Sequence, residues 1–167
     1  VTSGFTNEGN ITLNIASTET NELSVGGQLI NNGFISSEDG GGAGNDNVLR
    51  TELKNFNVLD VNYDLVLDGA GAVAHENKGE TDIASGQTLT IGANDAFENI
   101  FDDSNGDFGV LKGGGILNAA GSGVAFVNDG IIVPGDFSAT DIFTIQGNAN
   151  TEFRDGSFIE FDLNGNT

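Results

Sequence analysis

Three observations predict an all-β chain wound as a single-stranded parallel β-helix of about seven coils. A short phrase returns at intervals near 24 residues, apolar residues alternate with polar ones between its copies, and turn-forming residues punctuate the alternation. The phrase, apolar-x-Asn-x-Gly-x-Ile, stands at Phe5 to Ile11 (FTNEGNI), Leu29 to Ile35 (LINNGFI) and Phe126 to Ile132 (FVNDGII). A weaker copy, HENKGET (His75 to Thr81), keeps Asn77 and Gly79, and FRDGSFI (Phe153 to Ile159) matches with one residue deleted. The glycines Gly9, Gly33, Gly79, Gly130 and Gly156 are separated by 24, 46, 51 and 26 residues; with the two long gaps read as doubles, the period is 23 to 26. A fixed period of this size is the signature of a solenoid.

The strands follow from the alternation. Ile11, Leu13 and Ile15 recur at every second position, as do Leu59, Val61, Tyr63, Leu65 and Leu67, and Ile159, Phe161 and Leu163. Period two places these side chains on one face of a strand. A unit of about 24 residues holds three strands of about five residues and three short turns, one coil whose strands stack on the next at ~4.8 Å. Leu59, Val61, Leu65, Leu89, Ile91, Phe126, Ile132, Ile145, Phe161 and Leu163 are expected in one continuous bore.

The corners follow from the asparagines and glycines. Asn tolerates left-handed backbone angles and bonds its own turn, and Gly takes a positive φ without steric cost, so Asn-x-Gly bends the chain sharply between strands. Asparagines at equivalent corners are positioned to stack as a ladder. Pro134, the one proline of the chain, has no N–H to give to a strand ladder and is expected at a strand end, with Gly135 completing the turn. Two stretches interrupt the rhythm. SSEDGGGAGNDN (36–47) reads as an acidic, glycine-rich loop leaving the coil, and NDAFENIFDDSNGD (94–107) sets Phe97, Ile100 and Phe101 at helical spacing behind Asp95, an N-cap candidate for one helical turn. Excursions of this kind are where solenoids carry specificity.

Composition limits the function classes. The 167 residues fit a single domain, 1–167, and 26 glycines with 21 asparagines demand frequent turns. Five basic residues face 25 acidic ones, a net charge of −20, which excludes a nucleic-acid footprint and opposes an anionic membrane surface. No apolar run approaches the ~20 residues needed to insert in a membrane. With no cysteine there are no disulfides and no thiolate metal sites, which only weakly constrains the compartment. The chain opens on Val1 without a leader-like segment and reads as a mature form or an excised fragment.

The sequence FVNDGIIVPGD…FTIQG followed by GSFIEFDLNG resembles the passenger repeats of autotransporters and other large secreted bacterial adhesins. IASGQTLTIG (Ile83 to Gly92) and LKGGGILNAAGSG (Leu111 to Gly123) are similar to passenger phrases as well, so the resemblance covers the chain from about residue 80 onward and is looser before it. It implies a right-handed β-helix, exported to the bacterial cell surface or secreted, and used for adhesion or surface structure. Asp136 and Phe137 depart from the small residues that usually follow the Pro-Gly pair.

Catalysis has little support in the residues. Asp102-Asp103 is the one adjacent Asp pair, the arrangement some β-helix enzymes use on polysaccharides, but no basic residue stands near it in sequence. His75 occupies the apolar position of its repeat, where a buried, satisfied histidine is expected. Metal ligation has two candidates. Asp103, Asn105 and Asp107 offer oxygen at every second residue as a calcium loop begins, and Asp60, Asn62 and Asp64 do so on a strand, joined on its outer face by Asp68. Neither has the glycine and closing Glu of an EF-hand. No cofactor is required, and calcium is the candidate ion.

The expected function is therefore that of an extracellular structural or adhesive β-solenoid segment, not an enzyme, with a host or matrix carbohydrate or protein as its ligand. A subunit of a self-assembling surface filament is the second reading. Repeat material lies close to both ends, in FTNEGNI and FIEFDLNG, and uncapped coils of this kind associate head to tail. A carbohydrate-active β-helix enzyme is the third.

Overall fold

Alternate burial along short segments, with a corner after every few residues, sets the architecture of the computed structural model. It describes residues 3–15, 20–41, 46–102, 106–119, 125–135, 142–147 and 151–160. Among these residues there is no helix. The strands are β1 (Phe5–Asn7), β2 (Asn10–Ile15), β3 (Asn21–Asn31), β4 (Phe34–Asp39), β5 (Asn47–Asn55), β6 (Val58–Val61) and β7 (Leu65–Leu67). They continue with β8 (Ala74–Asn77), β9 (Glu80–Ile83), β10 (Thr88–Ile91), β11 (Ala96–Asn99), β12 (Phe101–Asp102), β13 (Asp107–Phe108) and β14 (Val110–Gly113). The last are β15 (Ile116–Ala119), β16 (Ala125–Asn128), β17 (Ile131–Pro134), β18 (Thr144–Gly147), β19 (Thr151–Phe153) and β20 (Phe158–Ile159).

One parallel sheet of seven strands runs β2-β4-β6-β9-β14-β17-β20, one strand for each passage of the chain. A second parallel sheet of 11 strands closes the coil. This is the expected β-solenoid, of about five turns rather than about seven. The early turns differ from the expected three-strand unit. Here β3 and β5 are each one continuous strand, their register shifting between Ser24 and Gln28, and only in later turns is the second side split: residues 47–49 of β5 pair with β7, and residues 54–55 with β8. The corner formed by residues 68–73 lies between those two pairings.

The bore is a stack of like on like. Leu59, Val61, Leu65, Leu89, Ile91, Phe126 and Ile132 are buried in it as expected, and Ile145 is partly buried against it. Phe161 and Leu163 lie outside the described residues. In register, Phe5 sits over Leu29 and Leu29 over Leu53, while His75, Phe97 and Phe126 continue turn by turn. The Phe97 and Phe126 rings are stacked with centroids 6.4 Å apart. Each fully buried Leu, Ile or Phe contributes about 1.5–3 kcal/mol relative to its exposed state, and no single turn can bury such a face alone. Thr81 is an exception in the bore column of the seven-strand sheet. It lies in register between Leu59 and Leu111, and its Oγ1 is buried without a hydrogen-bond partner among the described residues.

The repeat phrase builds two columns at one corner. Asn7, Asn31, Asn55, Asn77, Asn99 and Asn128 form a continuous amide ladder, each Nδ2 donating to the next Oδ1 at 2.7–2.8 Å. The second Nδ2 hydrogen of Asn31, Asn55, Asn77 and Asn99 goes to a main-chain carbonyl of the following turn. Beside the ladder, the carbonyls of Gly9, Gly33, Asn57, Gly79, Gly109 and Gly130 each accept an amide of the next turn. Asn57 and Gly109 occupy the two doubled gaps in the glycine spacing. The close stacking explains the glycines: a Cβ on Gly33, Gly79 or Gly130 would stand 2.1–2.3 Å from the carbonyl oxygen of the turn below.

Pro134 ends β17, and Gly135 follows it with φ +85°. The first excursion is narrower than expected, with residues 42–45 outside the described residues, and the second differs in kind. Ser36, Ser37, Glu38 and Asp39 belong to β4, because Ser37 Oγ reaches the Tyr63 carbonyl at 2.7 Å and accepts Asn47 Nδ2 at 2.7 Å, so hydroxyls fill the coil there. The segment 94–107 holds no helical turn among its described residues. Phe97 is a bore residue of β11, and Phe101 faces Phe108 in the antiparallel hairpin β12–β13, with ring centroids 4.3 Å apart.

Candidate functional site

The outward side chains carry the charge, and the turn spacing decides which charges meet. On the seven-strand sheet, Ser36, Asp60 and Asp82 are stacked in register, with Lys112 next to Asp82. Lys112 Nζ lies 3.3 Å from Asp82 and 2.9 Å from Glu80, bridging two turns. On the larger sheet Lys54 reaches Glu76 at 2.9 Å, and Arg50 joins Glu22 of one turn to Asp68 of another. Lys78 lies 3.6 Å from Asp102, 3.9 Å from Glu76 and 5.4 Å from the centroid of the half-exposed Phe56 ring. Arg50, Lys54, Lys78 and Lys112 thus sit across turns among carboxylates that would otherwise repel by roughly 1 kcal/mol per neighbouring pair in water.

The strand on which Asp60, Asn62, Asp64 and Asp68 were expected to share a face is interrupted. β6 stops at Val61, Asn62 to Asp64 make a corner, and Asp68 follows β7. Asp60 and Asn62 do come together, with Asn62 Nδ2 donating to Asp60 Oδ2 at 2.9 Å and to Glu38 at 3.1 Å. Asp64 is drawn away and accepts the Thr88 amide at 2.6 Å. Partial burial pushes the Asp60 carboxyl above its ordinary range, reinforced by Asp82 and Glu38. Asp103 and Asn105 lie outside the described residues; Asp107 is exposed in β13, opposite Asp102. Among the described residues no group of three or more His, Asp or Glu side chains is placed to hold a metal ion.

Asp102, with no base near it in sequence, receives Lys78 from the turn below. The hairpin is responsible, because it leaves the coil directly above β8. Sequence reasoning also missed Asp95. It does not cap a helix but is wholly buried at the corner before β11. Its carboxylate accepts the Gly69 amide at 2.8 Å and the Val73 amide at 3.1 Å, both from the preceding turn, and lies 3.4 Å from His75 Nε2. His75 is buried as expected, and burial pushes its pKa below the ordinary value despite the opposing pull of Asp95, Glu52 and Asp68. The one sequence signal for this pair was a histidine in an apolar register position.

In comparisons with known proteins, no family model matches the chain, and neither a curated protein nor a solved structure matches it. What the geometry offers chemically is a stiff, acidic surface repeated turn by turn, with neutralised cations and a buried polar pair at one corner.

Proposed function

We propose that the chain is a structural or adhesive β-solenoid segment of an extracellular bacterial surface protein, working as a scaffold and not as a catalyst. The observation that carries this reading is the six-member asparagine ladder, which runs beside the bore and links each turn to the next through side-chain as well as main-chain hydrogen bonds. A coil tied in this way presents its outer faces at a constant spacing, which suits repeated contacts with a host or matrix carbohydrate or protein. The resemblance of FVNDGIIVPGD and GSFIEFDLNG to autotransporter passenger repeats supports the surface location. Immunolabelling and protease shaving of intact cells carrying the full gene test it. Accessible epitope is expected, and labelling that requires permeabilised cells would overturn the location.

One observation favours the filament as a second reading. Ile159 continues the register of Ile132 yet is half exposed where Ile132 is buried, and Phe153 and Phe158 of the same last described turn are similarly exposed. A further turn stacked on this face would bury them, and in the filament reading a second copy supplies it. Sedimentation of the purified chain over a concentration series decides: growth into long species supports the filament, and a monomer throughout rejects it.

A further inference from the structure

The change from a straight β5 to the split pair β7 and β8 leaves a gap in the main-chain ladder. Pairing runs through Leu49 and Leu67, stops, and resumes at Lys54 and Glu76. The Leu53 amide points into this gap. Its acceptor is a side chain, His75 Nδ1, at 3.2 Å. The imidazole is therefore the tautomer with hydrogen on Nε2, which faces Asp95 Oδ2 at 3.4 Å. Asp95 in turn grips the corner 68–73 near both of its ends through the Gly69 and Val73 amides. Between them Gly71 turns with φ +104°.

We propose that His75 and Asp95 form an acid-released latch that holds the corner 68–73 against the bore, and that protonation of the imidazole frees this corner while the rest of the coil stays wound. The chemistry is one proton taken from solvent onto Nδ1. That nitrogen then carries hydrogen and confronts the Leu53 N–H, donor against donor, so the ring must leave its place. The new positive charge also draws Asp95 Oδ2 toward the ring and away from the Gly69 amide with which it is shared. The surroundings are Leu53 and Phe97 in the adjacent turns of the bore, Glu52 from β5, Asp68 at the head of the corner with Arg50 and Glu22 beyond it, and Asp95 from the following turn. Glu52 is itself hydrogen-bonded by Gln28 at 2.5 Å.

The sign follows from burial, which lowers the histidine pKa in the folded chain. The opened corner binds a proton more readily than the closed one, so the latch is complete above the ordinary histidine value of ~6.5 and weakens as pH falls through it. A single linked proton changes the opening constant by at most about tenfold per pH unit.

Amide hydrogen exchange between pH 7.5 and 5.5, corrected for intrinsic rates, tests the latch alongside the nitrogen shifts of the His75 ring. Protection at Leu53, Gly69 and Val73 should fall by up to about tenfold per pH unit below ~6.5, in step with protonation of Nδ1. The amides of Lys78 and Ile131, in the ladder corner, should keep theirs. His75→Asn retains an acceptor for Leu53 but does not titrate, and its corner protection should be independent of pH over this window. Constant protection in the wild-type chain, a loss shared equally by all amides, or a pH slope that survives in His75→Asn would each overturn the proposal. The wild-type comparison of ring titration with corner exchange stands alone even where the substituted chain does not fold.

Discussion

Replacing Asn77 by alanine removes the centre of the amide ladder, and the structure gives the size of the loss. Asn77 is wholly buried; its Oδ1 accepts Asn55 Nδ2 at 2.8 Å, and its Nδ2 donates to Asn99 Oδ1 at 2.8 Å and to the Val110 carbonyl at 3.1 Å. After truncation Asn55 keeps its bonds to the Asn57 and Glu80 carbonyls. Asn99 Oδ1 loses its donor in a buried setting and the Val110 carbonyl loses one in a partly buried setting, and a buried unsatisfied group costs about 1–3 kcal/mol. The expected loss is therefore about 3 kcal/mol, or about 6–12 °C in melting temperature for a chain of this size. Asn7→Ala truncates a rung that is 7% exposed rather than wholly buried and should cost less, about 1–2 kcal/mol. Asn77→Asp keeps the shape but sets a carboxylate oxygen against Asn99 Oδ1, and it should be at least as damaging as alanine at pH 7. Urea denaturation with linear extrapolation measures all three. An Asn77→Asp chain as stable as the wild type would refute the claim that hydrogen bonding, and not shape, gives the ladder its strength.

Other substitutions follow from single features. Thr81→Val replaces an unpartnered buried hydroxyl by a methyl and should stabilise by about 1 kcal/mol in the same urea assay; destabilisation would mean that the hydroxyl is bonded. Gly79→Ala puts a Cβ 2.2 Å from the Asn57 carbonyl oxygen, so turns must separate, and a fall of more than about 2 kcal/mol is expected. The raised pKa of Asp60 means that the folded chain holds this proton to higher pH than the unfolded chain, so stability falls as pH rises from the ordinary value of 3.8 through the folded one. Asp60→Asn should raise the melting temperature at pH 7 and lose its advantage in acid below both values. Melting in millimolar calcium and in chelator tests the ion expected from the sequence: an ion that binds only the folded chain raises the melting temperature by mass action, and superimposable curves would rule that expectation out.

What was legible in the sequence was whatever repeats at every turn. Asn7, Asn31 and Asn128 announce the ladder because each stands in the same phrase, and Pro134 announces a strand end because a residue without N–H has few other places in a sheet. Phe97, Ile100 and Phe101 misled because a bore strand, a corner and a hairpin strand in succession mimic helical spacing, and periodicity over so few residues does not distinguish them. Asp60 to Asp68 misled for the opposite reason: the alternation continues in phase across the corner at Asn62 to Asp64, so nothing local marks the break. Lys78 beside Asp102 and Asp95 beside His75 are separated by 24 and 20 residues, about one turn each. Such pairs become visible only once the length of each turn is known.

The hairpin β12–β13 leaves and re-enters the coil at almost the same point. The Gly109 amide bonds to the Ile100 carbonyl at 2.8 Å, and Gly109 takes its place in the glycine column by offering its own carbonyl to Ile131 at 2.9 Å. The turns on either side are wound as though Ile100 were followed directly by Gly109. Whatever is carried between these two residues is therefore freed from the dimensions of the coil, and because each doubling of a flexible loop costs only ~0.6 kcal/mol, its length and composition can drift while the winding persists. This junction is a ready-made port for inherited variation and for grafted peptides, in which the cargo changes and the shaft does not.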